Sequence, residues 1–575
     1  MATIIADNIT SPLGMTSAEN LAQIYAGRSA LSRYESKWGL PDPFFASLFT
    51  NEQITSLSKE GCSFFESVAI HSISEALSQV RHDVLSMRTI LIVSTTKANI
   101  ELIGRTNTDT FLPSVAAKHI VETLNLKEEP IVVCNACASG VAAIILAERL
   151  LKNGDYDNVI VCGCDVLGKF IVSGFQSLKA LSPEECRPFD IERLGLNLGE
   201  AAATIILSDK VTETKWRIEG GAIRNDASHI TNPSPKGIGC ADALVTALGD
   251  TAVKDIAMVN LHGTATMYND QMESKAVETA GLSAIPANGL KGYFGHTMGA
   301  SGVLETIVSM HAVENHIIPS TRGFYEMGVS GNISISKDER HTEKKTFLKV
   351  ISGFGGCNAA IKVGQTSSNT DVAYCNSTYN TGDSVEITPC DIYVNGKRLD
   401  TEGRGKDMLR YTYKRYVDDY PKYFKMDLLC QIGFVATELL LQTEGQERFR
   451  DRKDRAVVLF NASSSYVSDF EYQRSISSVE GFYPSPSAFI YTLPNIVTGE
   501  IAIRNKFHSE TSFFILGHKD EEIMTKILCS TFEDREINSI LTGWINAYDN
   551  NNFEAEIKLI YRNGKDNYRV KGRDY

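Results

Sequence analysis

No run of uncharged apolar residues in this 575-residue chain is long enough to cross a bilayer, so a membrane-spanning protein is not expected. Met1 to Thr16 lacks the basic start and unbroken apolar core of a signal peptide, which makes a cytoplasmic setting the expectation. No lysine-rich or arginine-rich arm stands out. With 57 Lys+Arg against 70 Asp+Glu the formal net charge is −13, so a nucleic-acid surface is not expected either. The 12 cysteines are scattered through apolar strand-like and loop contexts, whereas disulfide scaffolds belong to far smaller secreted domains. The one tight pair, Cys162 and Cys164 in VIVCGCDV, lacks the second ligand pair of a structural metal site and reads as strand packing.

What is there is a chain with 43% hydrophobic residues, enough for sizeable cores. Residues 1 to about 365 alternate strand-like runs (TILIVST, IVVCNA, NVIVCGCDV, AAATIILS, FLKVISGFGG, AAIKVG) with helical stretches, which predicts an α/β fold whose sheets are covered by helices. A polar stretch at 366–384 then reads as a linker or covering strap, and a second α/β block occupies 385–575. That block repeats the element order of the first. Matching Gly499 to Gly140 puts Ile496 where Cys137 stands, and a shift by one puts Asn495 there. Either way the second block has no thiol at that turn, and the alternative to a half-repeat is an unrelated α/β appendage.

Cys137 lies where the strand-like IVVCNA runs into a helix. A helix N-terminus offers unpaired N–H groups and partial positive charge, which favour thiolate and can cradle an oxyanion. Ala136, Ala138, Ser139 and Gly140 leave room for a substrate. Read alone, Cys137 fits either a reactive thiol or a small buried apolar residue. Three later segments bear on that choice. MVNLHGTATMYNDQMES carries His262, Thr264, Thr266, Asp270 and Glu273; LKGYFGHTMGASGVLE carries Lys291 and His296; VISGFGGCNAAI carries Phe354 on a glycine-rich turn. Each alone also fits an ordinary structural histidine or turn.

Together, NACASG, HGTAT, LKGYFGHTMGASG and GFGGCNAA, with RPFDIERLGLNLGEAAATIIL between them and ITSPLGMTSAENLAQIYAGRSAL at the start, resemble the β-ketoacyl-acyl carrier protein synthases of the Cys-His-His type over roughly residues 1–365. The resemblance implies a thiolase-like fold, two α/β halves stacked as five αβαβα layers, with a C-terminal α/β half-repeat added here. It implies an acyltransferase that loads an acyl chain on Cys137 and condenses it with malonyl-acyl carrier protein in a decarboxylative Claisen reaction. His262 and His296 would face the malonyl thioester, and Lys291 would support His296 with Glu273 as its ionic partner and Asp270 nearby. The backbone N–H groups of Cys137 and Phe354 would form the oxyanion hole, the Phe354 ring would gate the acyl channel, and Thr264 and Thr266 would hold the pantetheine arm. No metal or organic cofactor is implied. The partner is an acyl carrier protein, and the assembly a homodimer or, with the second block on the dimer surface, a pseudo-dimer.

The wording departs from the family in places. GEAAAT has Ala for a further Gly, and the block is short for its family. Cys357 raises thiolase as a rival, but GFGGCNAA lacks the thiolase C-x-G pattern, so Cys357 reads as packing. Chain-length-factor relatives replace the nucleophile, whereas Cys137, His262 and His296 are all present here. A fused second half resembles the condensing enzymes of aryl polyene and flexirubin-like pigment clusters, with fatty-acid-like synthesis as the alternative. The stretch YPKYFKMD (Tyr420 to Asp427) is a candidate carrier landing site, against a plain helix-leading loop.

Overall fold

The computed structural model describes residues 2–80, 88–105, 109–209, 216–365, 378–477 and 482–563. Two large sheets form the core of the first block. In one, the strands run in the order Ile131–Val133, Thr89–Ser94, Asn158–Asp165, Ala201–Ser208, Ala2–Thr10, the first three parallel and the last two antiparallel to their neighbours. In the other the order is Pro286–Asn288, Ile256–Asn260, Thr346–Gly353, Cys357–Gly364, Arg217–Asn225. The sheets touch at one corner, where Ala2 and Thr3 pair with Ile218 and Arg217.

Helices Ser139–Lys152 and Ser301–Glu314 fill the space between the sheets and are buried along nearly their whole length. Helix Phe64–Ser78, started by a capping box in which Ser63 and Glu66 satisfy each other's backbone N–H groups, covers the outer face of the first sheet. Helices Ile238–Leu248 and Met267–Thr279 cover the outer side of the second. This is the expected five-layer arrangement. Sheets buried on both faces explain the near-continuous apolar strands in the sequence.

The second block builds one sheet of the same pattern. Its order is Thr511–Ile515, Arg455–Asn461, Ser539–Asp549, Asn552–Arg562, Tyr379–Ile387, again three parallel strands and then two antiparallel. Phe514 and Ile515 pair antiparallel with Val133 and Val132, so ten strands run unbroken from one block into the other. Two expectations need correcting. The first strand of this block begins at Tyr379, inside the range read as linker; residues 366–377 of that range lie outside the described residues. Helix Ile496–Asn505 precedes strand Thr511–Ile515, as Pro113–Thr123 precedes Ile131–Val133, so neither Ile496 nor Asn495 matches Cys137. Strand register places His518 there, exposed in the turn before helix Glu521–Thr531. The apolar content of the Ile496 helix mimicked the helix that follows a nucleophile.

Buried polar contacts join the blocks. Arg149 donates to Glu510 at 2.8 Å, with side chains 6% and 2% exposed. Lys97 Nζ lies 2.5 Å from Asp469. Asn135 accepts from the Phe513 N–H at 2.8 Å and donates to the Thr511 carbonyl at 3.2 Å. Arg149→Ala is expected to lower stability by about 3–5 kcal/mol, because it strands the Glu510 carboxylate without its countercharge. Denaturant unfolding measures this, and a loss below about 1 kcal/mol would mean that Glu510 finds water or another partner.

Candidate active site

Two turns that lead into helices meet at the centre of the first block, one after strand Ile131–Val133 and one after the short helix Lys291–Phe294. In one, Ala136 holds a positive φ of 49° in the short turn Ala136–Ala138 that delivers Cys137 to helix Ser139–Lys152. In the other, Met298 holds the same φ of 49° in the turn that follows His296 and leads into helix Ser301–Glu314. Non-glycine residues in this region are strained and persist only where surroundings impose them. Each helix opens with Ala-Ser-Gly, and the glycines let the two backbones meet. A Cβ on Gly140 would lie 2.9 Å from the Val303 nitrogen, and one on Gly302 would lie 2.5 Å from the Val141 nitrogen. That approach sets His296 Nε2 3.0 Å from Cys137 Sγ.

The His296 ring is fixed from behind. Its Nδ1 accepts from the Met298 N–H at 3.2 Å and lies 3.0 Å from Ser301 Oγ, which assigns the proton to Nε2 and points an N–H at the sulfur. His262 follows strand Ile256–Asn260, with its ring centroid 5.0 Å from that of His296. The sulfur and an imidazole nitrogen from each ring lie within 4.8 Å of one another, a grouping that a soft divalent cation could also use. A second such grouping, Cys62, Glu66 and His119, has its carboxylate already occupied by the Ser63 N–H, Asn99 and His119.

Glu273 is not the partner of Lys291. Its carboxylate accepts the backbone N–H of His262 at 2.6 Å and of Gly263 at 2.7 Å, and so shapes the loop rather than pairing with the lysine. Asp270, one helical turn earlier, accepts from the N–H groups of Ala265 and Phe189 and serves the same loop. Lys291 pairs with Glu305 at 2.7 Å, and Lys349 pairs with the other oxygen of the same carboxylate. Neither Glu305 nor Lys349 figured in the sequence reading. Their signal was a lone carboxylate in the apolar helix SGVLETIVSM and a lone cation in the strand TFLKVISG.

Burial governs the charge states. It pushes the Cys137 thiol up to about 12, with Lys291 acting in the opposite direction, so the thiolate expected from the helix N-terminus is outweighed. It holds His262 and His296 well below 6.5, reinforced by the nearby Lys291. Cys137, His262 and His296 line a cavity of about 350 Å³. Thr264 and Thr266 line it too, their hydroxyls 2.9 Å apart, as does the half-buried Phe354, whose ring stacks on Phe175 at 6.4 Å. Cys357 is buried, with its sulfur toward the Thr511 carbonyl, and Cys162 and Cys164 are buried in a strand. In Tyr420 to Asp427, Tyr423 stacks on Tyr413 at 4.1 Å and Lys422 pairs with Glu500, while Pro421, Phe424 and Lys425 stay exposed.

Glu305→Gln is expected to cost about 3 kcal/mol or more, since Lys291 and Lys349, 1% and 0% exposed, would be left buried without the carboxylate that offsets their desolvation. Urea unfolding of the variant reads this directly; a change below about 1 kcal/mol would show that one lysine is neutral.

Residues 85–212 match the β-ketoacyl synthase N-terminal domain and residues 216–325 the C-terminal domain. The chain is similar to the tetracenomycin polyketide synthase ketoacyl synthase alpha subunit of Streptomyces glaucescens, with 30% identity over 44% of this chain and 64% of the relative. It is also similar to 3-oxoacyl-[acyl-carrier-protein] synthase 2 of Rhizobium meliloti (strain 1021), with 33% identity over 40% and 59%. The chain thus spans less than two thirds of the length of these curated relatives. Among solved structures, the PfaC keto synthase-chain length factor superposes over 98% of this chain and 78% of its own, with TM-score 0.75 and 14% identity. The ketosynthase ApeO with its chain length factor ApeC from Xenorhabdus doucetiae covers 64% of this chain and 98% of its own, with TM-score 0.56 and 22% identity. Residues 85–325, which hold Cys137, His262 and His296, are thus similar to the two domains of the β-ketoacyl synthases.

Proposed function

We propose that this protein is a 3-oxoacyl-[acyl-carrier-protein] synthase, an acyltransferase that lengthens a carrier-bound acyl chain by two carbons. The observation that carries the reading is the placing of Cys137 Sγ against His296 Nε2 at 3.0 Å, with His262 beside them, on one cavity. In the first step the sulfur attacks the acyl thioester, a new C–S bond forms on Cys137, and the pantetheine thiol leaves with the proton. The oxyanion of this step is held by the backbone N–H groups of Cys137 and Phe354. In the second, malonyl-carrier enters along Thr264 and Thr266 and loses carbon dioxide, leaving its electron pair spread onto the thioester oxygen. The imidazoles of His296 and His262 stabilise that oxygen away from bulk water. The carbanion then attacks the acyl carbonyl, the C–S bond to Cys137 breaks, and the departing thiolate takes up one proton from solvent. Lys291 and Glu305 keep the site's polarity fixed without touching the reacting atoms.

Residues 379–563 act in this reading as a silent half-repeat. Strand Thr511–Ile515 occupies the edge on which a second copy would otherwise pair, which supports a pseudo-dimer within one chain. The partner is an acyl carrier protein, and the setting cytoplasmic. The fused half favours a polyene pigment or polyketide-like product over housekeeping fatty acids.

Incubation with an acyl-loaded carrier is expected to add one acyl mass to Cys137, and malonyl-carrier is expected to remove it with release of carbon dioxide and an extended product. Intact-protein mass with peptide mapping follows both steps. Malonate decarboxylation without any acyl adduct would instead point to a subunit that needs an active partner. A lowered imidazole pKa keeps the ring neutral further into acid, so the condensation rate is expected to stay level from about pH 8 down to the ordinary imidazole value of 6.5. A pH–rate profile whose acid limb is centred at or above 6.5 would contradict neutral histidines in that role.

A further inference from the structure

The turn that carries Phe354 is made of residues that can flip. Gly355 and Gly356 hold positive φ of 89° and 75°, conformations glycine adopts at little cost and leaves as readily. Each carbonyl of the turn has its own donor. Phe354 O accepts from Asn495 Nδ2 at 2.8 Å, Gly355 O from Asn225 Nδ2 at 2.8 Å, and Gly356 O from the Asp226 N–H at 2.8 Å. The Gly355 N–H donates to the Ile230 carbonyl at 2.7 Å. Of these partners only Asn495 comes from the second block. It leads helix Ile496–Asn505, which sits on the turn so closely that a Cβ on Gly499 would lie 2.7 Å from the Gly355 oxygen.

Asn495 is 2% exposed, and its Oδ1 is buried without a hydrogen-bond partner among the described residues. Leaving a buried amide oxygen unpaired is unfavourable, so the side chain is held for its donor. The opposite orientation of the amide would set two oxygens against each other at Phe354. The turn in turn lies on the nucleophile. A Cβ on the adjacent Gly353 would be 3.2 Å from the Cys137 nitrogen and 3.1 Å from that of Ala138. Behind the Phe354 ring, Phe175 meets Phe489 of the second block edge-on at 5.5 Å.

We infer that Asn495 is a positioning residue for the condensing site. By holding the Phe354 carbonyl it fixes the peptide between Phe354 and Gly355, and with it the ring and the N–H that Phe354 presents beside Cys137. The inference rests on the condensing function proposed above. It gives the second block a role in the chemistry, since one wall of the acyl cavity is held in place from there.

Asn495→Asp keeps the size, removes the donor and sets an acceptor against the carbonyl; Asn495→Ala removes the contact. Both are expected to slow acyl transfer to Cys137 and the kcat of condensation about tenfold, while KM for malonyl-carrier moves by less than about twofold. Asn495→Ser, which restores a short donor, is expected to recover part of the loss. Lys453→Ala, which removes an exposed ion pair to Asp242 that also joins the blocks, is expected to leave the rates unchanged. Unchanged rates in Asn495→Asp, a lower Tm with no kinetic change, or an equal loss in Lys453→Ala would overturn the inference. Alkylation of Cys137 by iodoacetamide needs neither carrier nor turnover and separates this idea from the function itself. A changed alkylation rate in Asn495→Asp, with no condensation by the unmodified protein, keeps the latch and refutes the function. Unchanged alkylation with normal condensation refutes the latch.

Discussion

The close approach of two helix starts, backbone to backbone at Gly140 and Gly302, is the constraint from which the site follows. Helices separated by ordinary side chains lie about 8–10 Å apart, and at that spacing the two turns would not meet. With hydrogen in place of a side chain at both positions, Cys137 and His296 arrive at the same point from opposite sheets. A Cβ at Gly163 or Gly299 would meet this seam as well, at 2.9 Å from the Ala300 Cα and 2.6 Å from the Thr95 Cα. Small residues in the motifs are therefore a packing requirement as much as a means of admitting substrate.

Such packing drives water out, and the electrostatics respond. A thiol and two imidazoles are kept uncharged by burial, while the charges that remain are gathered one layer away in Lys291, Glu305 and Lys349. One carboxylate shared by two lysines leaves a local excess of positive charge, which opposes protonation of the histidines. Neutral N–H donors in a dry pocket suit a reaction in which negative charge develops on an oxygen only in passing. A histidine already charged would bind the malonyl carboxylate and hinder its loss.

The meeting of Cys137, His262, His296 and Phe354 on one cavity was legible only from the four motifs taken together in order, since each segment alone also fits an ordinary core residue or turn. The five-layer fold was legible from apolar strands too continuous to face water on either side. Partnerships were harder. The resemblance implied Glu273 as a mate for Lys291, but its register on helix Met267–Thr279 directs it to the His262 and Gly263 N–H groups. Glu305 reaches Lys291 from the helix after the His296 turn, a crossing that spacing does not reveal. The match of Ile496 to Cys137 failed because a buried helix looks the same whether it precedes or follows a strand. Strand pairing settles that order, and pairing is a property of three dimensions.

The ten-strand sheet also explains why a half-block suffices. A first sheet ending at Ile131–Val133 would expose an apolar edge strand of three residues directly beside the Cys137 turn, where unpaired N–H and C=O groups invite another chain. Thr511–Ile515 closes that edge, and Asn135 binds both Phe513 and Thr511 just before Cys137. Among the described residues, the second block has no counterpart to the sheet that carries His262. That sheet meets the seam through side chains instead: Arg224 pairs with Asp534 and Glu536, and Asn225 donates to Thr511 Oγ1 at 2.9 Å. What the second block contributes is a sheet that pairs with the first block and a helix start, at Asn495, that reaches the turn carrying Phe354, so its arrangement follows the interface it serves.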